Sequence, residues 1–230
     1  MNAFFFDMHT HRAVEQPQVV AIANRYWGQE EDKARYGKWQ SAGVHPWYLE
    51  GFSETETGKW LEQQVALPEV IAVGECGLDK LTRADMSVQM RAFRTCLRVA
   101  ADSQKPLIIH CVRAFEEVLQ VLKHTFGSQL PVPVIFHGFN KKPELAQQLL
   151  QAGCCLSFGA ALTERRPHVE AALQRTPADR LFLETDTADV SIQKIYTAAA
   201  ALKNMKTEVL CKILWDNALK MFPQTGQIHD

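Results

Sequence analysis

The sequence predicts an α/β protein built as a TIM-type (β/α)₈ barrel, shortened in its first crossover and closed by C-terminal helices. Three observations predict it: eight near-continuous apolar runs of strand length, amphipathic helical stretches between most of them, and histidines and carboxylates at the ends of those runs. Strands apolar on both faces and joined by helices form a parallel sheet covered on each side, and eight such strands fit a closed barrel.

The first strand is Phe4-Phe5-Phe6 running into Asp7-Met8-His9-Thr10-His11, where period two puts Asp7, His9 and His11 on one side. Arg12 to Gln18 is too short for a full helix, so Val19–Ala23 follows directly as the second strand. Glu30–Lys38 reads as a short charged helix, and Ser41–Val44 as a third strand that Pro46 turns away. Thr55–Val65 carries the stripe Trp60, Leu61, Val65, and Val70–Glu75 is the fourth strand. Met86–Ser103 repeats Met86, Met90, Phe93, Leu97 and Ala100 at helical spacing before the strand Leu107–His110.

Phe115–Phe126 is a helix stopped by Gly127, and Val132–His137 the sixth strand. Pro143 opens the next helix and Gly153 ends it. Cys155–Phe158 is the seventh strand, Val169–Arg175 a short helix, and Leu181–Glu184 the last strand. Helices over Ile192–Asn204 and Glu208–Phe222 complete the chain, and without a repeat or linker residues 1–230 read as one domain.

Composition excludes several classes of partner. Lys and Arg number 25 against 26 Asp and Glu, a formal charge of -1, so any polyanion must be held locally. The six cysteines form no CxxC pair and no disulfide framework, which favours the cytoplasm. No apolar run reaches the ~18 residues of a membrane span, and the Phe4–Phe6 run lacks the features of a signal peptide. A monomer away from the membrane is the simplest expectation.

The histidines then fall into a pattern. His9 and His11 end strand one, Glu75 strand four, His110 strand five and His137 strand six, while Asp186 follows strand eight. A barrel brings the C-terminal strand ends together at its active rim. Four imidazoles and two carboxylates exceed the needs of one tetrahedral ion, and suit two divalent metals ~3.5 to 4 Å apart, with Glu75 bridging. Each residue taken singly is also an ordinary polar strand end.

The same positions carry a family resemblance. His9-x-His11, Gly43-Val44-His45-Pro46, Gly74-Glu75-Cys76-Gly77-Leu78-Asp79, Ile109-His110, Phe136-His137-Gly138-Phe139, Leu183-Glu184-Thr185-Asp186 and Asn217–Phe222 resemble the TatD family of metal-dependent hydrolases. The resemblance implies an amidohydrolase-like barrel, deoxyribonuclease activity, and His9, His11, Glu75, His110, His137 and Asp186 as metal ligands. The chain departs from the family at Lys80, usually aromatic, in the truncated first crossover, and in Thr187-Ala188-Asp189 after the last acid.

This ligand set implies a metal-activated water, with Asp186 and Glu75 as the catalytic carboxylates and Asp186 as general base. Glu184, two residues before Asp186, reads either as a further group on the same side or as a partner in a barrel-interior salt bridge or hydrogen bond, and is kept out of the ligand set. Substrate contacts are expected at His45, either a hydrogen-bond donor or a structural histidine, and at Arg113, either a phosphate clamp or an ion pair with Glu116 or Glu117. Lys141 and Lys142 at a helix N-terminus either hold an anion or form a solvated pair.

The expected function is a TatD-type phosphodiesterase or deoxyribonuclease using two divalent ions (Mg, Mn or Zn) and acting on DNA or another phosphodiester. Hydrolysis of C-N or C-O bonds in a small molecule at the same centre is the alternative, and a non-catalytic barrel the third reading.

Overall fold

The computed structural model describes residues 4–12, 16–28 and 37–229. Eight strands, β1 (Phe5–Thr10), β2 (Val19–Tyr26), β3 (Trp39–Gly43), β4 (Val70–Asp79), β5 (Leu107–Val112), β6 (Val134–Phe136), β7 (Cys155–Phe158) and β8 (Leu181–Leu183), follow one another in order around one parallel sheet. β1 also meets β8: Asp186 N–H donates to His9 O at 2.9 Å and His11 N–H to Asp186 O at 3.2 Å. The architecture is the (β/α)₈ barrel that the eight apolar runs predict. Seven α-helices accompany the strands among the described residues: α1 (Glu54–Val65), α2 (Met86–Ser103), α3 (Phe115–Phe126), α4 (Pro143–Gln151), α5 (Pro167–Arg175), α6 (Ile192–Leu202) and α7 (Thr207–Met221). Among the described residues, no helix is long and apolar enough to cross a membrane.

The chain divides into two compact units, one of Met1–Ala23, Ala34–Trp39 and His137–Asp230, the other of Asn24–Lys33 and Gln40–Phe136. In the first unit the opening phenylalanines are core. Phe6 is fully buried, packs on Phe222 and Phe182 with centroids 5.8 and 6.2 Å away, and its backbone N–H and C=O both bond the Tyr196 hydroxyl. Asn217 of α7 donates to Ala178 O at 2.7 Å and Leu181 O at 3.1 Å, which fixes the start of β8.

The second unit buries Ile71, Val73, Phe93, Leu97, Ile108 and Phe136. Its strands come unusually close where glycine permits. A Cβ on Gly74 would lie 2.5 Å from Ile108 O, and one on Gly77 only 2.0 Å from His110 O. Both have φ near +140°, which other residues rarely adopt, so the glycines flanking Glu75 let β4 carry that carboxylate against β5.

Strand and helix limits differ modestly from the sequence expectation. β2 runs on to Tyr26, and β4 to Asp79, its polar end, which still pairs with Val112 of β5. β6 is shorter, beginning after Pro133, which has no N–H to give. Of the expected helix over Glu30–Lys38, residues 30–36 lie outside the described residues, and Gly37 and Lys38 are not helical.

Candidate metal centre

The first unit gathers four of the expected ligands. Ligand atoms of His9, His137 and Asp186 lie within 4.8 Å of one another, and His11 joins them, with Nε2 3.4 Å from Asp186 Oδ1. His9 Nε2 stands 3.9 Å from the same oxygen, and its ring centroid is 4.5 Å from that of His137. His9 is fully buried because it is the penultimate residue of a strand inside the core, whereas Asp186 is one-third exposed. The φ of Asp186 is +51°, a left-handed conformation that aspartate tolerates better than most residues. That kink lets the residue pair with β1 through its backbone while its carboxylate faces the imidazoles.

Two buried carboxylates position this group. Glu184 Oε1 accepts from Gly138 N–H at 2.6 Å and faces His137 Nδ1 at 3.3 Å, so the other ring nitrogen of His137 is the one that could reach a metal. Burial alone would raise the Glu184 carboxyl, but the adjacent His137 and His9 hold it below the usual carboxylate range. Asp7 accepts from Thr185 N–H at 2.9 Å and from its hydroxyl at 2.6 Å. Burial outweighs those bonds and lifts Asp7 to about 7.

The second unit holds another donor set. Ligand atoms of His45, Glu75 and His110 lie within 4.8 Å of one another, all buried. Glu75 Oε1 meets His110 Nδ1 at 2.7 Å and His45 Nε2 at 3.0 Å, and the Glu75 N–H donates to Asn24 Oδ1 at 2.8 Å. Trp47 N–H donates to His45 Nδ1, so the neutral His45 ring carries its proton on Nε2, facing Glu75.

Asp79 is a member of this group that the ligand set omits. Its Oδ2 faces His110 Nε2 at 3.1 Å and accepts the Trp47 indole N–H at 2.6 Å; Oδ1 accepts from Leu81 N–H. Burial works to raise its pKa, yet the bonds from Trp47, Leu81 and His110 together leave it below the ordinary value. Period two along β4 places Glu75, Gly77 and Asp79 on one face, a signal present in the sequence.

Imidazole and carboxylate donors converging at a buried point have the chemistry to hold a divalent metal ion. Both groups could hold one; in the first Glu184 orients the His137 ring, and in the second Glu75 and Asp79 face the two ring nitrogens of His110.

The family model described as TatD related DNase matches residues 24–223. The chain belongs to this family. His9 and His11 lie just before the matched range, so their place in the site rests on their geometry with His137 and Asp186. A TatD member from Erwinia billingiae, named a 3'-5' ssDNA/RNA exonuclease, is 34% identical over 177 residues, covering 76% of this chain and 64% of that protein. The chain thus matches a little under two thirds of the length of that curated relative. The YJJV TatD homologue of Escherichia coli K12 superposes with a TM-score of 0.77 at 21% identity, covering 88% of this chain and 86% of that one. An amidohydrolase of Saccharomyces cerevisiae superposes at 0.78 with 15% identity, covering 96% and 100% of the two chains. These structures share the barrel.

The expected substrate contacts are more scattered. Arg113 is exposed and has a positive φ, and Lys80 rather than Arg113 pairs with Glu117. Lys142 is exposed at the N-cap position of α4, with no capping bond from its side chain, and Lys141 is half-buried beside it. Two arginines outside the sequence expectation stand close to Asp186 or its neighbours. Arg166, paired with Glu164, lines a cavity of about 190 Å³ that includes Asp186 and Glu184. Arg12 donates to Thr187 O at 3.1 Å and to Asp189 at 3.2 Å beside a cavity of about 460 Å³. This contact joins the truncated first crossover to the altered segment after Asp186.

Proposed function

We propose that this chain is a divalent-metal-dependent hydrolase of phosphodiesters, a nuclease of the TatD type. The convergence of His9, His11 and His137 on Asp186 carries the reading, and kinship with proteins named exonucleases supports nucleic acid as the substrate. Two ions are proposed, one held by His9, His11, His137 and Asp186, the other by Glu75 and His110 with His45 and Asp79 beside them. Imidazole-rich donors favour Zn²⁺ or Mn²⁺ in affinity, and Mg²⁺ is compatible with the carboxylates.

When bound, such ions lower the pKa of water toward neutrality and polarise a phosphoryl oxygen. Asp186, partly open to solvent, takes the proton of the attacking water as general base. Glu184 fixes the His137 ring, and His45 and Asp79 fix Glu75 and His110. Arg113, Arg12 and Arg166 are the cations proposed to meet the phosphates, with Lys141 and Lys142 further along the backbone. The six cysteines are all free thiols, five of them buried, in keeping with a proposed cytoplasmic location.

The test is metal-loaded protein incubated with single-stranded DNA and with panels of amides and lactones. Hydrolysis of DNA, reduced about 10²- to 10⁴-fold in Asp186→Asn, is the expected result. Unchanged activity in that variant rules out Asp186 as base, and turnover confined to amides or lactones replaces the nuclease reading with small-molecule hydrolysis.

A further inference from the structure

Three of the four large apolar side chains most exposed among the described residues lie together: Trp47 (57% exposed), Tyr48 (40%) and Leu81 (62%). Trp47 and Leu81 wall a cavity of about 380 Å³, completed by Asp79, Thr82, Arg83 and Val112. Exposed aromatic surface costs solvation unless something covers it during function.

Its connection to the donor set is direct. The Trp47 indole N–H donates to Asp79 Oδ2 at 2.6 Å, and the same oxygen faces His110 Nε2. The indole meets the His45 and His110 rings edge-on, at interplanar angles of 82° and 76° with centroids 5.1 and 5.8 Å away. These contacts fix the ring while more than half the residue remains in solvent. Tyr48 is braced separately, stacked on Tyr26 at 4.3 Å and 7°.

We propose that Trp47 is a stacking platform for an unpaired nucleobase, with Leu81 as the opposite wall of its slot and Arg83 reaching the adjoining phosphate. A planar, rigidly held indole next to an apolar side chain suits a flat π-face of any base, and an arginine at the rim suits the backbone that carries it. A base in a duplex has both faces occupied, so the slot selects single strands or frayed ends. The inference rests on the nuclease reading and adds to it: the donor set acts on the phosphate, Trp47 on the base.

The experiment is fluorescence anisotropy with metal-loaded protein and two short single-stranded oligonucleotides, identical except that one carries abasic residues at its 3' end. A phosphorothioate backbone in both keeps the measurement one of binding. The base-bearing strand should bind about 5- to 150-fold more tightly, the range that aromatic–base stacking spans. Trp47→Ala should remove the difference, and Trp47→Phe, which keeps a ring but loses the bond to Asp79, should retain most of it.

Equal binding of the two strands by the native protein overturns the proposal. So does a difference that survives in Trp47→Ala, or one lost equally in Trp47→Phe, since the effect would then pass through Asp79. Hydrolysis of bis-p-nitrophenyl phosphate, which has no base, is measured in parallel. Its absence counts against the nuclease reading, while its presence with equal oligonucleotide binding removes the stacking platform alone.

Discussion

The Asp7 carboxylate in β1 binds both the backbone N–H and the hydroxyl of Thr185, 178 positions further along the chain. Thr185 immediately precedes Asp186, so this half-buried pair sets the start of the turn that brings the proposed base to His9 and His11. Asp7→Ala leaves the Thr185 donors without that acceptor. Metal affinity, read by isothermal titration with Mn²⁺ or Zn²⁺, is expected to fall about 10- to 100-fold, as for other changes one step behind a ligand.

Glu184 performs the same service for His137. In Glu184→Ala the Gly138 N–H loses its acceptor and the His137 ring loses its orientation. Stability should fall by about 1 to 3 kcal/mol in urea titration of the metal-free protein, and the metal affinity of this donor set should fall as well. A variant that binds metal as the native chain does would show that Glu184 is only a core acceptor.

Asn217 offers a test remote from the metals. Its amide donates to two carbonyls at the entrance to β8. Asn217→Ala should cost about 1 to 3 kcal/mol in the same titration, because Ala178 and Leu181 lose a buried donor. The activity per folded molecule should change far less than in Asp186→Asn.

Alkaline pH should destabilise the fold through buried thiols. Burial pushes Cys154 up to about 12 and Cys155 to about 11, against an ordinary value of 9.0. Both thiols favour the neutral form in the folded chain. Their contribution is complete below pH 9 and is lost as the unfolded chain ionises between pH 9 and the folded values. Melting temperatures measured from pH 8 to pH 11 should therefore fall less steeply for Cys154→Ala than for the native chain.

Removing the metals should lower stability at neutral pH. A ligand at a hundred times its Kd adds about 2.7 kcal/mol to the folded state. EDTA should reduce the melting temperature, and Asp186→Asn should show a smaller reduction. An identical response in the two proteins would place the bound ions away from Asp186.

The strands were readable because buried β-structure is apolar along its whole length, and the clustered histidines because polar residues close those runs at His9, His110 and His137. Asp79 was harder to read. It follows two glycines in a strand that continues past Glu75, and a carboxylate in mid-run looks like the end of a strand rather than its second face. Arg12 gave no local signal at all, since its partners, Thr187 and Asp189, reach it only when β8 returns to β1. Period and composition report what a residue's neighbours in sequence require, whereas loop-to-loop contacts depend on closure of the sheet.

That closure also has an order in time. His9 and His11 are synthesised early, but His137 and Asp186 leave the ribosome much later. A nascent chain therefore carries two imidazoles without the carboxylate and third ring that complete their donor set. The proposed ion can meet its whole donor set only after β8 is made and paired with β1, so its capture would follow closure of the sheet rather than begin it.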